Sequence, residues 1–89
     1  MQDSGGITAP ATVGEGDTTP IVIVAPQVTT LRITVLETGE EFQVTVGRND
    51  RALFELPTGA VAGSSITISD KCNPDNFTTI DVVDPGSPP

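Results

Sequence analysis

Between Thr30 and Asp50 the chain reads TLRITVLETGEEFQVTVGRND, with apolar side chains at nearly every second position. Successive side chains of an extended strand point to opposite faces, so this period sorts residues by face. Leu31, Ile33 and Val35 share one face, with Arg32, Thr34 and Leu36 on the other. After the turn ETGEE, Phe42, Val44 and Val46 share a face and Gln43 and Thr45 oppose them. Gly39 can take positive φ in that turn without steric penalty. Paired antiparallel, the two apolar faces coincide and form half of a core.

The same period continues downstream. GRND (Gly47 to Asp50) is a second turn, followed by RALFELP, where Ala52, Phe54 and Leu56 alternate with Leu53 and Glu55. Pro57, Thr58 and Gly59 end that run, since proline cannot continue a ladder and glycine permits reversal. AVAGSSITISD offers a strand with Ile66 and Ile68 inward, KCNPDN turns, and FTTIDVVD gives a last strand with Ile80 and Val82 on one face. With the uninterrupted apolar run Ile21 to Val24, this makes about six short strands separated by turn signals. Glu55 to Gly63 has room for one helical turn at most, and no stripe of helical period exists anywhere. The expected fold is all-β, a small antiparallel β-sandwich or open barrel of Ig-like or jelly-roll-like type.

The first twenty residues, MQDSGGITAPATVGEGDTTP, have few apolar anchors. Such a segment buries too little surface to offset the entropy of ordering it. The expected organisation is a flexible N-terminal arm over residues 1–20, a β body over 21–84 and a disordered tail over 85–89.

Charge and composition exclude several classes. The chain has 89 residues and a net charge of −8, from 12 acids against four bases. Phosphate backbones and anionic membrane surfaces are both bound through Lys and Arg, so neither nucleic acid nor membrane is an expected partner. PIVIVAP, the longest apolar run, falls far short of the roughly 20 residues that span a bilayer. The start MQDSGGITAP has neither a basic nor an apolar leader region, which suggests use without export or removal of a signal. One cysteine, Cys72, permits no intrachain disulfide, and without histidine the usual zinc sites are unavailable. No cofactor is expected.

Candidate chemistry is equally thin. DKCNPDNFTTID (Asp70 to Asp81) has the length of an EF-hand loop, but Cys72 and Pro74 occupy ligand positions, Asp75 replaces the glycine, and no glutamate closes it. A different ion site among Asp70, Asn73 and Asp75 competes with ordinary Asx-turn chemistry, which is the commoner use of such residues. NFT at Asn76 to Thr78 matches a glycosylation acceptor pattern that recurs by chance. Glu40 and Glu41 are adjacent and face opposite ways, Asp81 and Asp84 lie near the chain end, and no aromatic platform flanks any of them. AGSSI around Ser64 and Ser65 lacks the glycine of a nucleophile elbow and a histidine base. Cys72 has only Lys71 nearby to favour a thiolate. No enzymatic activity is expected.

Contact remains as the function. A body of this size buries only about 60% of its unfolded surface and is marginal without staples, so assembly is the expected stabiliser. Ile7, Val13, Ile21, Val22, Ile23 and Val24 are the apolar anchors expected to dock on a partner, as an added strand on a neighbouring sheet. Arg48 and Arg51 flank the GRNDR tip, which reads either as a contact loop or, more simply, as a solvated hairpin end.

The short chain, the arm MQDSGGITAPATVGEGDTTP, the Thr/Val-rich β body and the acidic charge together resemble the small decoration, or cement, proteins on capsids of tailed phages. The resemblance implies a non-enzymatic structural role on the outer capsid surface of a virion. It also implies a homo-oligomer such as a trimer, or a monomer, clamping the major capsid protein or another lattice subunit. No motif defines it, so it carries over no site residues. On this reading, deleting Met1 to Pro20 leaves the body folded and weakens lattice binding. The alternative is an Ig-like spacer or adhesion module of a bacterial surface or secreted protein, in which the arms are linkers.

Overall fold

Alternation in sequence becomes alternation in burial. Leu31, Ile33 and Val35 are fully buried while Arg32 is exposed, and Ile66 and Ile68 are fully buried in a strand whose other residues are half-buried. The computed structural model describes residues 6–84. Seven strands succeed one another: β1 (Thr12–Gly14), β2 (Ile21–Val24), β3 (Thr30–Val35), β4 (Glu41–Thr45), β5 (Arg51–Phe54), β6 (Ser65–Asp70) and β7 (Phe77–Val83). No helix occurs among the described residues; Pro57–Ala60 and Val61–Ser64 form successive turns where one helical turn was conceivable.

The strands form two sheets, one of five strands in the order β1-β7-β6-β3-β4 and one of two, β2-β5. Every pairing is antiparallel except β1 with β7, which is parallel. The fold is a small β-sandwich. In the larger sheet Ile33 lies opposite Phe42 on one side and Ile68 on the other, and Ile66 lies opposite Ile80, which draws the inward residues into one continuous layer. Ile21, Ile23, Ala52 and Phe54 of the smaller sheet join the same core. Phe42 and Phe54 link the sheets with ring centroids 5.8 Å apart and planes tilted by 58°, a geometry favoured by the ring quadrupoles.

Turn chemistry explains the reversals. Gly39 takes φ 78° in the β3–β4 turn, the left-handed conformation in which a glycine carries no penalty. The β4–β5 connection closes through Gly47 and Arg51, with a 2.9 Å bond from the Gly47 N–H to the Arg51 carbonyl. Asp50 there takes φ 60°, as Asp tolerates in αL positions. In the β6–β7 loop the Asp70 carboxylate accepts the Cys72 N–H at 2.9 Å, an Asx turn.

The N-terminal segment differs from the expected free arm. Thr8 pairs with Val24 on the edge of the small sheet, through bonds of 2.8 and 2.9 Å in the two directions. The chain then passes Pro10 and enters β1 beside β7, with Thr12 opposite Asp81 and Gly14 opposite Val83. Val13 is buried in the core and Ile7 packs against it half-buried. The segment orders because these few apolar side chains are joined by ladder hydrogen bonds that only the folded body offers, a tertiary effect that local composition does not register. Residues 1–5 of the expected arm and the expected tail at 85–89 lie outside the described residues.

Candidate contact surface

The structure divides the expected docking residues into two groups. Val13, Ile21 and Ile23 are buried in the core and have no surface to offer a partner. Val22 and Val24 point away from it, because β2 has one inward face and alternation sends every second residue out. Val22 lies opposite Leu53 and Val24 opposite Arg51 in the β2–β5 ladder. Val22 is 46% exposed and Leu53 62%, so the two form an apolar pair on the outer face of the narrow sheet. Single exposed apolar residues are ordinary, whereas adjacent ones make a patch. Arg51 borders it, and Arg48 stands exposed in the turn just before β5.

Leu53 was not among the residues singled out from sequence. Its signal was present: a leucine alternating with inward Ala52 and Phe54 must face out, and an outward leucine beside an outward valine marks a contact face.

Several of the polar groups are engaged in local structure. The Glu15 carboxylate accepts the Ala62 N–H at 3.2 Å, and Asp17 accepts the Thr19 N–H at 2.9 Å. These two acids and Glu55 line an open cleft of about 360 Å³. No group of three His, Cys, Asp or Glu side chains able to hold a metal ion occurs among the described residues. Ser65 donates to Asp81 across the β6–β7 ladder at 3.2 Å. Ser64 is buried, and its hydroxyl has no hydrogen-bond partner among the described residues. Cys72 is exposed. No helix is long and apolar enough to cross a membrane among the described residues. The β2–β5 sheet thus presents an exposed apolar pair bordered by Arg51. No protein-family model, curated protein or solved structure matches this chain.

Proposed function

We propose that this chain is a non-enzymatic structural module, an Ig-like β-sandwich that serves as a spacer or adhesion unit of a surface or secreted protein and acts through contact. The observation that carries the reading is the course of residues 7–14. They leave the edge of the small sheet at Thr8 and join the large sheet at Thr12. A segment built into both sheets is a strand of the body, which weighs against a reaching arm.

The strand order supports the Ig-like assignment. In the lettering of that fold β1 to β7 correspond to A′, B, C, C′, E, F and G, giving A′-G-F-C-C′ packed on B-E. The parallel first and last strands send the chain in at one end of the sandwich and out at the other, a layout suited to units in series. Fold alone does not fix function; the outward Val22–Leu53 pair supplies the adhesive element. That same pair favours a second reading, decoration of a viral capsid lattice with the narrow sheet seated on a lattice subunit.

The test is to express residues 6–84 alone and as two copies in tandem. A spacer module melts cooperatively in both forms at the same temperature. A fragment that stays unfolded until mixed with a partner lattice would sink the spacer reading and leave the decoration reading standing.

A further inference from the structure

The large sheet ends at β4, and nothing pairs with its outer edge among the described residues. The β3–β4 register, together with the Val35 N–H to Glu40 and Val46 N–H to Thr29 bonds, turns the backbone groups of Phe42 and Val44 toward β3. The N–H and C=O groups of Glu41, Gln43 and Thr45 therefore face outward from the sheet. Their side chains are exposed as well. The strand carries one edge charge, Glu41, but no proline, no lysine and no bulge to blunt it further. On its inner face Phe42 and Val44 are only half-buried, because the two-stranded sheet opposite does not cover the whole larger one.

We infer that β4 is the interface of a two-fold homodimer, in which β4 of a second copy adds antiparallel to this edge with Gln43 on the symmetry axis. Charge selects both the occupant and the direction. One end of β4 is acidic, with Glu37, Glu40 and Glu41; the other leads into the mixed GRNDR tip, where exposed Arg48 and Arg51 outweigh exposed Asp50 and leave it net basic. Neither arginine holds an ion pair within the described part of its own chain. An antiparallel copy sets the acidic end of each strand against the basic end of the other, whereas a parallel copy would oppose like charges. The register is self-complementary too. Glu41 falls opposite the partner copy's Thr45, and Gln43 opposite Gln43, so the outward backbone groups pair reciprocally and no two carboxylates face one another. Phe42 falls beside the second copy's Val44, which extends the half-buried apolar layer across the boundary. The net charge of −8 on each copy opposes association at long range, so the dimer is weakened at low salt and tightens as salt screens the repulsion.

The experiment uses the full 89-residue chain. Light scattering between about 10 μM and about 1 mM is expected to show mass rising from the 9.2 kDa of one chain toward twice that value. Amide exchange is expected to slow with concentration at Gln43 and Thr45, while Phe42 and Val44 stay protected throughout. Gln43→Lys, which opposes two ammonium groups on the axis, is expected to raise the dissociation constant about tenfold or more with an unchanged circular-dichroism spectrum. Arg48→Glu is expected to weaken the dimer, and Arg48→Glu combined with Glu40→Arg to restore it. A wild-type chain monomeric at every concentration overturns the proposal. So does an oligomer whose Gln43 exchange and Gln43→Lys affinity are indifferent to association.

Discussion

Thr8 and Val24 exchange both of their backbone hydrogen bonds, the Thr8 N–H reaching the Val24 carbonyl at 2.8 Å and the Val24 N–H returning to Thr8 at 2.9 Å. Four residues later the same chain is in the other sheet, opposite Asp81. The segment therefore closes the edge of one sheet and extends the other.

Deleting residues 1–14 is expected to destabilise the protein. It removes Val13 from the core and strips β7 of its parallel neighbour. Burial of one valine alone is worth about 1.5 kcal/mol or more, and each kcal/mol moves the melting temperature of so small a domain by about 4–8 °C. A thermal melt followed by circular dichroism checks this. An unchanged midpoint would return the segment to the status of a free arm.

The two faces of the strands should respond to truncation very differently. Ile33→Ala opens a cavity at a fully buried position between β4 and β6, for an expected loss of about 2–5 kcal/mol. Val22→Ala, on the exposed face of β2, is expected to change stability by less than about 0.5 kcal/mol. Urea unfolding of both variants decides it. Equal losses would mean that Val22 is covered by something in solution.

Ser64 buries a hydroxyl without a partner among the described residues, although its backbone N–H and carbonyl are both paired, with Val61 and Val82. An unsatisfied buried polar group is destabilising. Ser64→Ala is thus expected to be neutral or to stabilise by up to about 1 kcal/mol. A loss beyond about 1 kcal/mol in the same unfolding assay would show that the hydroxyl has a partner after all.

Gln27 carries φ 65° in the turn closed by the Val28 N–H on the Ala25 carbonyl. With Pro26 before it, this is the position where a type II turn favours glycine. Gln27→Gly is expected to raise stability by about 0.5–1 kcal/mol, and Gln27→Ala to give no gain. Both are read from denaturation midpoints.

What the sequence made legible was the facing of residues. Leu31, Ile33, Val35, Ile66, Ile68, Ile80 and Val82 are all buried where the period of two puts them inward. Partnership was less legible. GRND looks like the tip of a hairpin, yet the strands it joins lie in different sheets, β4 on β3 and β5 on β2. Alternation specifies a face and leaves the neighbour to be chosen by packing of the whole chain. The run Ile21 to Val24 is apolar on both faces, so its inward set emerged only from the register with Ala52 and Phe54. β1 was hidden for another reason. It is three residues long and rests on one inward valine, and its ladder exists only once β7 is in place. The contact face followed the same logic: Val22 was singled out, while Leu53 acquires meaning only opposite it.

The parallel pairing of β1 with β7 also fixes how the module bears load. Tension applied between the chain entering β1 and the chain leaving β7 runs along both strands in opposite senses. The hydrogen bonds between them, including Asp81 N–H to Ala11 at 2.9 Å and Glu15 N–H to Val83 at 2.8 Å, lie across the pulling direction. They are loaded together in shear and must rupture at once, where a hairpin pulled at its ends opens one bond at a time. A sandwich of mostly small aliphatic side chains would thus resist stretching more than its modest core suggests, with β1 acting as its mechanical latch.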